Sequence, residues 1–270
     1  MQPFFSSWES FAADVRAAAH LLLLADYDGT LTPIVSRPEE AVLSPAVREK
    51  LAALVVSPFF SVGIISGRAL AEVRSLVGIE GIYYAGNHGL EMAGPGIHFV
   101  SPEARAAQVI IKDLAGQLSA RLSSITGVIV EDKGLTLSLH YRLVREGEVD
   151  RVADIFRQVT APWLSEGSIR ITSGKKVWEV RPPVDWHKGK AVRVIMEQVK
   201  ARLSIEPLLT VYLGDDVTDE DAFRVVRRPR GWGIRVGGDN PASAAEYFLG
   251  STAEVAGFLS RLLELAGERQ

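Results

Sequence analysis

An α/β fold, with a parallel-sheet core and a smaller α+β domain inserted into it, is predicted by three observations on this sequence. Short apolar runs that end abruptly in polar or glycine residues recur at Leu21 to Ala25, Phe59 to Ile65, Ile82 to Ala85 and Leu208 to Leu213. Helix-like patterns, with apolar residues every three or four positions, run over Ser44 to Val55, Ala69 to Leu76, Lys190 to Leu203 and Thr252 to Leu265. A middle stretch instead carries alternating apolar and polar residues. Runs this short suit strands buried on both faces, and strand alternating with helix makes a parallel sheet covered by helices. Ligands of such sheets bind beyond the carboxyl ends of the strands.

The first run, inside LLLLADYDGTLTPI, delivers Asp26 at its carboxyl end and Asp28 in the loop that follows, with Gly29 permitting the turn. Taken alone, the two aspartates read equally well as a helix cap and a turn residue. The second run, in SVGIISGRAL, ends at Ser66. Its hydroxyl and the backbone N–H groups of Gly67 and Arg68 can cradle a phosphate at a helix start, although Ser66 also reads as a plain N-cap. After the third run comes NHGLE, residues 87 to 91. A lone histidine there reads more readily as a structural hydrogen-bonding residue than as a substrate contact.

A helical stretch, Glu103 to Leu122, then leads to GVIVEDKGLTLSLHYRLV, whose alternation and Asp-Lys-Gly break predict an antiparallel hairpin. A second helix-like run, Glu148 to Trp163, precedes another hairpin, IRITSGKKVWEV. Trp163 and Trp178 read as core residues of this unit. Its edges, AGPGIHFVSPE and RPPVDW, are rich in residues that punctuate structure. The predicted organisation is therefore a core of residues 1–100 and 184–270 with an inserted α+β cap of residues 101–183.

Returning to the core, HKGKAV places Lys188 and Lys190 at a helix start, where a cation opposes the helix dipole and a bound anion would offset it, although a solvated lysine is the usual explanation. The fourth run, in LLTVYLGDDVTDEDAF, is followed by Asp215, Asp216, Asp219, Glu220 and Asp221. Thr218 with Asp221 resembles a capping box, and acids in a first helical turn are favoured by the dipole, so part of this cluster is structural. Asp215, however, occupies the same topological place as Asp26. Converging carboxylates repel unless a cation lies between them, and oxygen ligands without His or Cys suit Mg²⁺.

Composition narrows the partners. The chain has 270 residues, 47% of them hydrophobic and 23% charged, and a formal charge of −3. That is a globular balance, long enough for two cores. Beyond RRPRG at 227 to 231 no basic run stands out, so no nucleic-acid partner is expected. No span approaches the ~20 apolar residues that cross a bilayer, so no membrane partner is expected either. There is no cysteine, which excludes disulfides and thiolate chemistry and fits the cytoplasm.

Taken together, DYDGT, SGR, HKG and GDDVTDED, in this order, resemble the four motifs of the haloacid dehalogenase superfamily of phosphatases. The insert sits where that superfamily carries a C2-type cap. More narrowly, NHGLE, EDKGLTLSLHYR and GKKVWEVRP look like the trehalose-6-phosphate phosphatase family. The resemblance implies a Rossmann-like parallel-sheet core and a monomeric phosphoric monoester hydrolase acting on a small-molecule sugar phosphate, trehalose 6-phosphate, with Mg²⁺ as cofactor. By the same resemblance Asp26 is the nucleophile that forms an aspartyl-phosphate, and Asp28 is general acid and then base. Their spacing suits the work, since one carboxylate attacks phosphorus while the other reaches the bridging oxygen.

Mg²⁺ would be held by the Asp26 carboxylate, the Asp28 carbonyl and Asp215, with Asp219 supporting it through water or from behind. Ser66 and Lys188 would bind the transferring phosphoryl oxygens. Substrate contacts are implied for Arg68, Asn87, His88 and Glu91 in the core and for Glu131, Lys133, Arg142, Lys175 and Glu179 in the cap. Asp216 and Glu220 keep a structural reading. Other readings stay open: a phosphatase for sucrose 6-phosphate or a glycosyl-phosphoglycerate, a phosphohexose mutase, or a Mg²⁺-binding phosphoacceptor signalling module.

Overall fold

The computed structural model describes residues 1–229 and 231–268, which leaves Arg230 of the RRPRG run outside it. The chain divides into two compact units, one of Met1–Phe99 with Trp186–Gln270, the other Val100–Asp185. No helix among the described residues is long and apolar enough to cross a membrane.

The first half of the larger unit contains strands β1 (Gln2–Pro3), β2 (His20–Ala25), β3 (Phe60–Ile65), β4 (Tyr83–Gly86), β5 (Glu91–Gly94) and β6 (Ile97–Val100). Helices α1 (Trp8–Ala17), α2 (Pro45–Val56) and α3 (Leu70–Val77) alternate with them. The smaller unit holds α4 (Pro102–Ala106), α5 (Gln108–Leu122), β7 (Ile129–Asp132), β8 (Leu137–His140), α6 (Val149–Ser165), β9 (Arg170–Gly174) and β10 (Val177–Arg181). The chain then returns through α7 (Lys188–Leu203), β11 (Leu208–Gly214), α8 (Glu220–Val225), β12 (Gly231–Val236), β13 (Tyr247–Leu249) and α9 (Thr252–Gly267).

In the larger unit the described residues form a nine-stranded sheet in the order β1-β13-β12-β11-β2-β3-β4-β5-β6. From β1 to β4 the neighbours are parallel, and β5 turns back antiparallel on β4. The central strand shows why the run of leucines is needed. All six residues of β2 are buried. Leu21, Leu23 and Ala25 face one core with Phe11, Val211 and Phe258, while Leu22 and Leu24 face the other with Ile195, Tyr212 and Phe223. Removing a buried leucine side chain from either layer costs about 2–5 kcal/mol.

Register then sets the site. Leu213 pairs with Ala25, Ala25 with Ile64, and Ile65 with Ala85. The carboxyl ends of β11, β2, β3 and β4 are therefore level, and the residues that follow them emerge side by side.

Helix boundaries follow local capping. Ser44 lies outside α2, accepting the Val47 N–H at 3.3 Å with Pro45 at the first helical position. Gly78 ends α3 in the left-handed region. In the smaller unit, the expected single helix over 103–122 is instead two, because Ala107 opens the turn with ψ −5°. Its four strands are ordered β7-β8-β10-β9, with all three pairs antiparallel. Leu137, Leu139 and Val180 pack with Leu114, Leu118, Val152 and Phe156 of the helices, and Trp163 and Trp178 lie against this core.

Candidate active site

Asp26 is the first residue beyond β2, tied back to the sheet by its N–H to the Leu213 carbonyl at 2.9 Å. Asp215 is the first residue beyond β11. The DYDG loop crosses directly onto it: Gly29 has φ +83°, and a Cβ there would overlap the Asp215 carboxylate. One carboxylate oxygen each from Asp26, Asp215 and Asp219 fall within 4.8 Å of one another, and all three residues are buried. Oxygen donors in such an arrangement match a hard divalent cation such as Mg²⁺.

Lys188, the first residue of α7, is buried in the same cluster. Its ammonium lies 2.9 Å from Asp26 Oδ1 and 2.7 Å from Asp219 Oδ1. Asp219 is saturated around both oxygens. Oδ1 also accepts the Tyr212 hydroxyl at 2.6 Å, and Oδ2 accepts the N–H groups of Asp215 at 3.1 Å and Asp216 at 3.0 Å. It therefore fixes the loop that carries Asp215 and the ammonium that touches Asp26.

The capping box of this loop pairs Asp216 with Asp219, not Thr218 with Asp221. The helical turn begins at Val217, two residues earlier than expected, so Thr218 lies inside it. Glu220 accepts from Ser243 Oγ at 2.7 Å and from the Ala244 N–H at 2.6 Å, a local structural contact.

The electrostatics of the cluster are unbalanced. Burial pushes the Asp26 carboxyl well above the usual carboxylate range; Lys188 opposes this, and Asp219 and Asp215 add to it. Burial pulls Lys188 down, but Asp219 and Asp26 outweigh it and hold the ammonium above the ordinary lysine range. Burial, then Asp219, raises the Tyr212 hydroxyl as well. Three carboxylates thus face one ammonium, and a divalent cation would relieve the penalty on the anions.

Asp28 points elsewhere. Arg68 holds it with two bonds, Nε to Oδ2 at 2.7 Å and Nη2 to Oδ1 at 2.8 Å. The same guanidinium bonds Glu72 and reaches the Pro38 carbonyl at 2.7 Å. Arg68 is 5% exposed, so its donors are directed at protein groups.

Ser66 caps no helix. Its hydroxyl accepts the Arg68 N–H at 3.1 Å, whereas the first N–H of α3, that of Leu70, goes to Glu91 Oε1 at 2.7 Å. Asn87 and His88 both take left-handed backbone conformations, φ +48° and +58°. Their N–H groups bond the carbonyls of Arg68 at 2.7 Å and Ser66 at 2.8 Å, and Asn87 Nδ2 meets Glu91 Oε1 at 2.8 Å. The His88 ring packs where a Cβ on Gly67 would lie. NHGLE is thus the clamp that shapes the Ser66 loop, and non-glycine residues held this way cost about 1–3 kcal/mol each.

In the smaller unit, Lys133 Nζ lies 3.8 Å from Glu131 and 3.9 Å from Glu179, which brings these three together. Arg142 and Lys175 meet further along the same sheet, Arg142 Nη2 donating to the Lys175 carbonyl at 3.0 Å.

With this geometry in hand, comparison with known proteins gives a family. The trehalose-phosphatase family model matches residues 24–252. The chain belongs to the trehalose-phosphatase family. It is 40% identical over 255 residues to a trehalose-phosphate phosphatase of Mycobacterium tuberculosis, covering 93% of this chain and 63% of that protein. A trehalose 6-phosphate phosphatase of Zea mays, RA3, is 37% identical over 93% of this chain and 72% of its own length. Among solved structures, the C-terminal domain of the C. albicans trehalose-6-phosphate phosphatase superposes with a TM-score of 0.78 at 25% identity, over 95% of this chain and 97% of that one.

Four groups that the chain brings to its clusters were not singled out from the sequence: Tyr212, Glu72, His140 and Arg181. Tyr212 is hidden inside the apolar run of β11, where only a hydroxyl among leucines and valines signals it. Glu72 lies four residues from Arg68 on α3, a spacing that does predict a pair. His140 sits 2.8 Å from Glu131, and Arg181 3.9 Å from Glu179. Strand alternation places them on the charged face, but nothing in LSLHYR or VWEVR marks them apart from their neighbours.

Proposed function

We propose that the chain is a Mg²⁺-dependent trehalose-6-phosphate phosphatase that works through an aspartyl-phosphate on Asp26. The observation that carries this reading is the Lys188 ammonium bound at once to Asp26 and Asp219, beside Asp215, beyond the level ends of β2 and β11. The chain spans 60–64% of the length of its mycobacterial relatives, so their names support the activity for the part it shares with them.

Asp26 and Asp215, with the Asp28 carbonyl, would hold Mg²⁺, and Asp219 supports them from behind through its four partners. Bound there, the ion would neutralise phosphoryl oxygens and keep Asp26 ionised. An Asp26 oxygen attacks phosphorus, the bond from phosphorus to the sugar oxygen breaks, and Asp28 gives that oxygen its proton, releasing trehalose. Asp28 then takes a proton from water as the water attacks phosphorus, and orthophosphate leaves with Asp26 regenerated. Ser66 and Lys188 bind the oxygens on which charge accumulates.

A bidentate guanidinium pairs with the carboxylate form. Asp28 therefore turns out of its pair with Arg68 to carry a proton, and Arg68 acts on Asp28 before it acts on substrate. Glu131, Lys133, Arg142, Lys175 and Glu179 supply the mixed donors and acceptors that a disaccharide's hydroxyls require.

Phosphate release from trehalose 6-phosphate, sucrose 6-phosphate, a glucosyl-phosphoglycerate and glucose 6-phosphate tests the assignment. The expected kcat/KM for trehalose 6-phosphate exceeds that for glucose 6-phosphate by about 10²-fold or more. Equal values for the two would remove the substrate assignment.

The loop crossing gives a second expectation. Alanine at position 29 adds about 1–2 kcal/mol of left-handed strain and displaces the Asp215 carboxylate. Gly29→Ala should bind Mg²⁺ at least about tenfold more weakly by calorimetry, since one ligand is moved aside. Unchanged affinity would mean that Asp215 is no ligand.

A further inference from the structure

We propose that Trp186 is a positioning residue for the phosphate site: its indole seats the turn of residues 87–89, and through that turn Ser66, against the start of the helix that carries Lys188. The inference rests on the proposed role of Ser66 and Lys188 in binding phosphoryl oxygens.

Ser66 and Lys188 come from different elements, the end of β3 and the first residue of α7. Two such groups act well on one phosphoryl group only if their spacing is fixed. The turn of residues 87–89 joins them. On one side its Asn87 and His88 N–H groups bond the Arg68 and Ser66 carbonyls, at 2.7 and 2.8 Å. On the other side Gly89 meets α7 and the residue two before Lys188. A Cβ on Gly89 would lie 2.6 Å from Ala191 Cβ and 2.7 Å from Trp186 Nε1, so the backbone there is pressed against both. The Phe99 ring stacks on the indole, with centroids 5.0 Å apart and planes at 21°, which resists any turning of the indole.

The contact matters because the turn is strained. Asn87, His88 and Gly89 all have positive φ, +48°, +58° and +97°. Such backbone persists only where its surroundings over-determine it. The indole is one of those surroundings, flat and rigid, beside the residue of the turn that has no side chain. A flexible aliphatic group in its place opens space on that side, into which the turn relaxes. No hydrogen bond has to break for this to be felt, since moving Ser66 by about 1 Å relative to Lys188 costs up to about 10²-fold in rate.

The test compares wild type, S66A, W186L, W186F and the double variant S66A/W186L, each assayed with Mg²⁺. KM and kcat are measured on trehalose 6-phosphate, inhibition by inorganic phosphate as a Ki, and folding by thermal melting. W186L is expected to lower kcat/KM about 10–10²-fold and to raise the Ki about tenfold, as for a weakened hydrogen bond to a charged group. W186F, which keeps a flat ring stacked on Phe99, should hold both within about threefold of wild type. Because Trp186 acts through Ser66, the double variant should be within about threefold of the poorer single variant. Should W186L melt within the assay range, W186M, which refills the volume without a flat face, takes its place. Losses that multiply in the double variant, or W186F as impaired as W186L, would overturn the inference. An impaired S66A beside a W186L whose kcat/KM and Ki are unmoved, whatever its melting temperature, would make Trp186 merely structural and overturn its role alone. An S66A variant equal to wild type would overturn the phosphate-binding role of Ser66 and this inference with it.

Discussion

Asp28→Asn should lower turnover of trehalose 6-phosphate by about 10²–10⁴-fold, the usual contribution of a positioned acid and base. Asparagine keeps the shape of the side chain and can still meet Arg68, but it neither gives a proton to the sugar oxygen nor takes one from water. The pair it weakens is partly open to solvent, Asp28 being 42% exposed, so the thermal stability of the variant should lie within about 1 kcal/mol of wild type. The expected result is an almost inactive, fully folded protein. A phosphoacceptor signalling module has no use for Asp28, and turnover within tenfold of wild type would favour that reading.

Lys188→Met should act on stability as well as rate. Its ammonium is 2% exposed and bonded to two buried carboxylates. Removing one partner of a buried ion pair leaves uncompensated charge and costs about 3–5 kcal/mol. Rate should fall about 10²–10³-fold through loss of a preorganised cation beside the reacting oxygens. Because the penalty comes from the stranded anion, the double variant Lys188→Met with Asp219→Asn should recover part of the stability while staying inactive. Urea unfolding of the wild type and the two variants separates the two effects. Lys188→Met with wild-type stability would show that the ammonium is not held as the geometry requires.

The sheet was legible because its central strands are buried on both faces and so read as unbroken apolar runs. β12 escaped notice for the converse reason: GWGIRV has two glycines and an arginine in six residues and makes no run. Its place in the sheet comes from pairing with β11, a tertiary fact. Asp26, Asp215 and Lys188 could be found because each stands at an element end next to an apolar stretch. Their partners could not. Arg68 and Asp28 are 40 residues apart, and no local pattern announces that the expected acid is clasped by an arginine expected to meet substrate. Asp219 looked like one first-turn acid among several, and only its four donors separate it from Glu220. Asn87, His88 and Glu91 were legible as a motif but not as a clamp, because their work is done by backbone N–H groups in a left-handed turn.

The claim on which the rest depends is that three buried carboxylates facing one ammonium await a divalent cation. Phosphate release from trehalose 6-phosphate, measured after chelation and dialysis and again after Mg²⁺ is returned, tests it directly. No release above background is expected without the ion, and full recovery on its return. Release that persists after chelation would contradict it.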